Sequence, residues 1–222
     1  MGHTNSDPNP EVLLVVSRPH PGKRAFDLAV AIPAAVLLSP IFFAVAVWIK
    51  LDSRGPVFFL QERVGQFGRL FRIFKFRSMV FDAQNRGIQL TVGADRRITR
   101  SGRLLRKYKI DELPQLFNVI KGEMSLVGPR PEIPHYVKFY TEDQRLILAF
   151  KPGLTSPASI AFSNESEMLS RREDPESFYC AHMMPAKIRE DLSYANRATV
   201  FSDCAMVVKT ILRIFTSQKD HP

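Results

Sequence analysis

The sequence predicts an α+β fold: a small, mostly helical domain with one short β-hairpin, preceded by an apolar helix broken at Ser39-Pro40. Three observations predict it. From Leu28 to Ile49 there are 22 residues without a charge, with Ser39-Pro40 at their middle. Apolar and polar residues alternate on both sides of "GQFG", the period of strands. Basic residues recur at helical spacing in "RITRSGRLLRKYKI", and apolar residues do so in the last forty residues.

Taken in order, residues 1–20 open polar and Pro/Asn-rich and read as a disordered tail, within which "EVLLVV" suits a short strand. Residues 21–54 hold the apolar segment. A helix of its charge-free length reaches about 33 Å, enough to cross a bilayer core. Proline removes a backbone donor and clashes with the preceding turn, so Pro40 bends or breaks that helix. Lys23 and Arg24 precede the run and Lys50 and Arg54 follow it. Basic flanks prefer one side of a membrane. A helix-break-helix that dips in and returns keeps both flanks there, with Ser39 or other protein groups satisfying the freed backbone. This re-entrant arrangement is the expectation. A straight span, a buried soluble helix and a signal peptide cleaved after Ala44-Val45-Ala46 are the alternatives, the last disfavoured because the site lies inside the apolar run. No longer spans precede it, so a minimal form is expected.

Residues 55–222 form the main domain. "GPVFFLQERVGQFGRLFRIFKFRSM" reads as a hairpin, Gly65 and Gly68 flanking the turn. Phe74 and Phe76 share one face of the second strand, Lys75 and Arg77 the other: a solvated face or a seat for a phosphate. Residues 82–98 read as a mobile Gly- and Arg-rich loop. The next helix carries Arg103, Arg106 and Lys107 on one broad face, with Leu104 and Leu105 elsewhere. Asp111 is placed as N-cap of the helix after it, with Pro114 in the first turn. "TEDQ" at 141–144 is a capping box. The C-terminal part reads as amphipathic helices; Phe201, Ala205, Val208, Leu212 and Phe215 form a stripe that packs on the domain or lies on a membrane.

Net charge is +9, yet residues 61–110 alone carry 13 Lys or Arg against 3 Asp or Glu, so the rest is near neutral. One region therefore faces an anion: nucleic acid, a lipid surface or a phosphorylated substrate. Two cysteines, Cys180 and Cys204, are too few for a disulfide framework and point to a reducing compartment. The five histidines form no metal-like spacing.

Asp111 and Glu112 end that basic region. A carboxylate among several arginines is expected to have a depressed pKa and to stay ionised. At a helix N-terminus, beside a divalent ion and anion-binding arginines, it can attack phosphorus. Downstream, Pro129 and Pro131 stiffen a turn around Arg130, whose planar fork matches phosphate oxygens.

"KRAFD", "SP" within an apolar segment, "QERVG", "FKFRSM", "LRKYKIDELPQLFNVIKGEMSLVGPRPE" and "KPGLT" occur in that order. Together they resemble the bacterial sugar transferase family, the monotopic phosphoglycosyl transferases that start glycan and exopolysaccharide assembly. The resemblance implies a catalytic domain facing the cytoplasm at the bacterial inner membrane, anchored by a re-entrant helix broken at Ser39-Pro40. It implies transfer of a sugar 1-phosphate from a UDP-sugar to polyprenyl phosphate, with UMP leaving and Mg2+ required. Asp111 falls on the family's nucleophile, which forms a phosphosugar intermediate. Glu112 falls beside it, suited to metal or proton handling, so both are assigned to the metal. Arg106 and Arg130 fall on phosphate-holding arginines; Lys75, Arg77, Arg63 and Gln115 are assigned with them to substrate and phosphate binding. Partners expected are the donor, the acceptor, membrane lipids and, as one allowed assembly, a second copy in a homodimer. A nucleic-acid binder, stacking bases on Phe71, Phe74 and Phe76, is disfavoured by the apolar run; a non-catalytic membrane scaffold is the other alternative. Many members follow "PGLT" with Gly and Trp, where this chain has Ser156-Pro157, and Ser163-Asn164 stands where relatives often carry Arg-Asn.

Overall fold

The computed structural model describes residues 20–81, 83 and 95–216, the Phe215 side chain excepted. The expected tail with its "EVLLVV" strand, and most of the expected 82–98 loop, lie outside the described residues.

Helix α1 (Lys23–Leu37) and helix α2 (Ser39–Asp52) meet at a bend of 56°. The break sits where the sequence placed it. Pro40 has no N–H to offer the Val36 carbonyl, and the Ser39 hydroxyl donates to that oxygen instead, at 2.7 Å. The pair presents two faces. Ala31, Val45 and Ile49 are buried against the domain, while Leu37, Phe43 and Leu51 stand out, Leu51 being 82% exposed. Among the described residues no single helix is long and apolar enough to cross a membrane; this bent pair meets the length and composition together.

Strands β1 (Phe58–Val64) and β2 (Leu70–Phe76) pair antiparallel, with Phe58 opposite Phe76 and Val64 opposite Leu70. A 3-10 turn at Gln66–Gly68 joins them, and Gly68 takes the left-handed φ of 75° that closes it. Phe76 is the hinge of the packing. It stacks on Phe58 and meets Phe42 of α2 edge-on, tying the hairpin to the broken helix.

Helix α3 (Arg100–Lys107) starts at Thr99, whose side chain accepts from Gly102 N–H. It lies so close to the end of the hairpin that a Cβ at Gly102 would stand 1.9 Å from the Ser78 carbonyl oxygen. Gly102→Ala is therefore expected to force α3 off its seat and destabilise the protein by about 2–3 kcal/mol, read by denaturant titration.

A 3-10 segment, Ile110–Gln115, leads into α4 (Leu116–Lys121). Two short strands, β3 (Ser125–Val127) and β4 (Gly153–Thr155), pair parallel, with Ser125 opposite Gly153 and Val127 opposite Thr155. Beyond β4 come α5 (Pro157–Ala161), α6 (Glu165–Ser170), α7 (Met184–Ala195) and α8 (Val200–Thr216). The "TEDQ" capping box is present, with Thr141 and Gln144 bonding each other's backbone.

Buried polar groups fasten these pieces together. Asn118 on α4 accepts from Phe74 N–H and donates to the Arg72 carbonyl and to Glu123, stitching α4 to β2. Asp27 on α1 accepts from the Ser125 hydroxyl, Leu126 N–H and Lys23. Asp203 on α8 accepts from Tyr194 and pairs with Lys23. Each is fully buried, and each is satisfied, which buried polar groups require.

Helix α8 decides between the two places expected for its apolar stripe, against packing on the domain. Its packing face is Asp203, Met206, Val207, Thr210 and Ile214, with Thr210 bonding the Thr155 hydroxyl at 2.7 Å. The apolar stripe read from the sequence faces outward: Phe201 is 88% exposed, and Val208 and Leu212 more than half. Specific hydrogen bonds of Asp203 and Thr210 decide the rotation of the helix, which hydrophobic periodicity alone does not see.

Candidate active site

The site is assembled from the 3-10 segment, the end of β2, the turn after β3, and α3. Lys109 takes a left-handed conformation, φ 57°, costly for a residue with a side chain. It turns the chain sharply after α3, so that the helical turn begins at Ile110. Asp111 is therefore not the N-cap the sequence suggested; Lys109 occupies that position, without a side-chain cap. Asp111 and Glu112 both project from this first turn, in opposite electrostatic situations.

Glu112 is clamped. Its Oε1 accepts from Lys75 Nζ at 2.8 Å and from Arg130 Nη2 at 2.6 Å, and Arg130 Nη1 reaches Oε2 at 3.3 Å. Burial alone would push this carboxyl up, but Arg130, then Lys75 and Lys109, hold it well below the usual range. Arg130 is held strongly protonated by the same carboxylate. Lys75 is pushed down to about 8 by burial, against the pull of Glu112.

Asp111 is 6% exposed, and its Oδ1 has no hydrogen-bond partner. Burial, then the neighbouring Glu112 charge, raises its pKa. This reverses the expectation of a depressed value. Lys75, Arg106 and Lys109 pull it down, but burial and the Glu112 charge outweigh them.

The other sequence-assigned residues divide. Arg106 lines the same cavity as Asp111, Glu112, Lys75 and Arg130. Arg63 stands behind the Arg130 turn, donating to the Pro131 carbonyl at 3.0 Å and to Gln61 at 2.7 Å, with Glu132 at 3.5 Å. It supports the turn. Gln115 is buried and stands outside the cavity wall. Arg77 also lines the cavity, but it lies just past the end of β2 and its Nη2 is engaged elsewhere, donating to the Ser53 carbonyl and hydroxyl at 2.7 and 2.9 Å at the end of α2.

Sequence reasoning missed Glu132, Tyr179 and Asp191. Glu132 follows "PRP" and accepts a short hydrogen bond from Tyr179. Asp191 on α7 accepts from Ala158 N–H at 3.0 Å, is also bonded by the Arg130 backbone, and is pushed up to about 6 by burial. Together they brace the Arg130 turn from the C-terminal helices. No local pattern marks them, because their partners lie 33 or more residues away.

The donor set fits a divalent cation in one particular way. Among the described residues no three His, Cys, Asp or Glu side chains stand together as a cage. Asp111 Oδ1 is a buried oxygen in want of a partner, and Glu112 lies beside it. Mg2+ commonly takes one or two carboxylates and completes its shell with water and substrate phosphate oxygens. The cavity, about 1500 Å³, has room for a ligand of nucleotide size.

Residues 18–217 match the family described as bacterial sugar transferase. The chain is 39% identical, over 87% of its length, to the UDP-N-acetylgalactosamine-undecaprenyl-phosphate N-acetylgalactosaminephosphotransferase of Aeromonas hydrophila, of which it covers 44%. It is 39% identical, over 86% of its length, to the undecaprenyl-phosphate glucose phosphotransferase of Komagataeibacter xylinus, of which it covers 35%. The chain thus spans less than half the length of these two. It is 36% identical to the uncharacterized sugar transferase EpsL of Bacillus subtilis, over 88% of either chain. A family match over nine-tenths of the sequence, with the acidic pair and the Arg130 turn drawn into one cavity, means that the chain belongs to the bacterial sugar transferase family.

Proposed function

We propose that this protein transfers a sugar 1-phosphate from a UDP-sugar to polyprenyl phosphate, of which undecaprenyl phosphate is the form named for the relatives, at the inner face of the bacterial cytoplasmic membrane. The observation that carries this is the division of labour in the acidic pair. Glu112 is neutralised by Arg130 and Lys75, while Asp111 keeps an unpartnered oxygen in the cavity wall. A carboxylate that is desolvated and unpaired is a stronger nucleophile than one held by arginines.

In the first half-reaction an Asp111 oxygen bonds the β-phosphorus of the donor, the bond from that phosphorus to the UMP oxygen breaks, and UMP leaves with the electron pair. In the second, an oxygen of polyprenyl phosphate attacks the same phosphorus, the Asp111 bond breaks, and the sugar diphospholipid forms. Arg130, with an edge left toward the cavity, and Arg106 stabilise the charge that develops on the phosphoryl oxygens. Asp111, with Glu112 beside it, would hold Mg2+, which when bound would neutralise charge on the diphosphate.

The bent helix pair, exposed on one face, supports a re-entrant anchor that sets this cavity at headgroup depth. The exposed apolar stripe of α8, with Lys209 and Arg213 beside it, suits contact with a lipid surface.

The test is UMP release in nanodiscs across a panel of UDP-sugars, with and without polyprenyl phosphate. A stoichiometric burst without acceptor and steady turnover with it are expected; no UMP with any donor refutes the reading. The pH profile is a second check. Asp111 must be ionised to attack, so its protonation sets the acid limb. Lys75 loses its proton near its value of about 8, so the alkaline limb lies there. Asp111→Glu is expected to move the acid limb and leave the alkaline one.

A further inference from the structure

Among the described residues Arg130 feels three glutamates and is bonded to one of them. Glu112 first, then Glu165 and Glu132, hold its guanidinium protonated against burial. Glu112 does so in direct contact, at 2.6 and 3.3 Å. The other two are tied off by residues of the C-terminal half. Glu165 Oε2 accepts from Lys187 Nζ at 2.8 Å. Glu132 Oε2 accepts from the Tyr179 hydroxyl, while its Oε1 accepts from Ile133 N–H at 2.8 Å, with Arg63 Nη1 at 3.5 Å. Tyr179 opens a π-helical turn, Tyr179–Met183, and α7, which carries Lys187, continues from it. Lys187 Nζ stands 5.2 Å from the centre of the Tyr179 ring, so the two donors form one unit, and both line the cavity with Glu132 and Glu165. A carboxylate that loses its partner in such a place turns to the nearest cation, because an unpaired buried charge is costly.

We propose that Tyr179 and Lys187 are positioning residues for the transfer: they hold Glu132 and Glu165 off Arg130, so that its guanidinium stays with Glu112 and keeps an edge for phosphate. This rests on the reaction assigned above. Neither residue touches the reacting atoms in this scheme; each acts through a carboxylate on Arg130. It gives the segment between α6 and α7 a part in the site that its sequence did not announce. Removing the Tyr179 hydroxyl or the Lys187 ammonium frees a negative charge that competes with the donor diphosphate for the same fork.

The experiment is a pair of double-mutant cycles on the full chain in nanodiscs. One combines Tyr179→Phe with Glu132→Gln, the other Lys187→Met with Glu165→Gln. Two quantities are read: kcat/KM for the UDP-sugar, and the Kd of UDP by equilibrium dialysis. Tyr179→Phe and Lys187→Met are each expected to lower kcat/KM about tenfold and to weaken UDP in parallel. On the background of the matching glutamine the same change is expected to cost less than about twofold, because a neutral amide does not compete for the guanidinium. A residue that merely supports the fold costs the same on both backgrounds. Equal costs on the two backgrounds, or no cost in the wild-type background, overturn the role of the residue concerned. Tyr179→Phe keeps the ring that packs on Tyr136, and the Lys187 cycle decides alone if that variant fails to fold. The UDP measurement needs no turnover. A protein that shows the cycles in UDP affinity yet releases no UMP from any donor would overturn the reaction and leave the positioning roles standing.

Discussion

Asp111→Asn is expected to lower turnover by about 10⁴-fold or more, and at the same time to make the protein more stable. The first effect follows from the chemistry: an amide oxygen does not displace UMP from phosphorus. The second follows from burial. Asp111 titrates above its ordinary value because desolvation penalises its charge. A carboxyl whose folded pKa is raised lends stability below that pKa and loses it as pH rises through it. At neutral pH the ionised side chain is thus a cost, and the neutral amide removes it. A rise in melting temperature of about 2–4 °C corresponds to roughly 1 kcal/mol in a chain of this size. Differential scanning fluorimetry in detergent reads the shift, and mass analysis of protein trapped with labelled donor reads the loss of the adduct. A variant equally inactive but less stable would mean that Asp111 holds the fold and not the phosphorus.

Arg130→Lys is expected to lower kcat/KM by about 10²–10³-fold although the charge is kept. Arg130 reaches both oxygens of Glu112 at once, at 2.6 and 3.3 Å, and its planar fork leaves a further edge for phosphate. A lysine ammonium is a point donor that must choose between them. Glu112 then loses its two-point hold, or the diphosphate loses its donor. The loss should fall in the burst of UMP as well as in steady turnover, because the diphosphate is engaged in the first half-reaction. An effect confined to the second half-reaction would assign Arg130 to the acceptor alone.

The sequence made the local features legible. Proline chemistry put a bend at Ser39-Pro40, and α1 and α2 break there. Strand alternation and two glycines placed the hairpin, and the register pairs Phe58 with Phe76 as the turn length requires. These features rest on neighbours in the chain, and short-range sterics decide them. "DELPQL" with "GPRP" downstream pointed to Asp111, Glu112 and Arg130, and the structure brings all three into one cavity.

Other features were left open by the sequence because their causes lie far away. Arg77 looked like a twin of Lys75, two positions apart on a strand. One side chain finds Glu112 and the other the end of α2, because the strand stops between them. The stripe on α8 has the right period, yet it faces outward, since Asp203 and Thr210 are held by Lys23, Tyr194 and Thr155.

By itself the sequence determined the family, the broken apolar helix, the hairpin and the identity of the acidic pair, for these depend on residue type and short spacing. Only the tertiary structure decided which carboxylate stays free. Coulomb pairing depends on distance in space, and folding carries Lys75 and Arg130 to Glu112, leaving Asp111 the unpartnered oxygen.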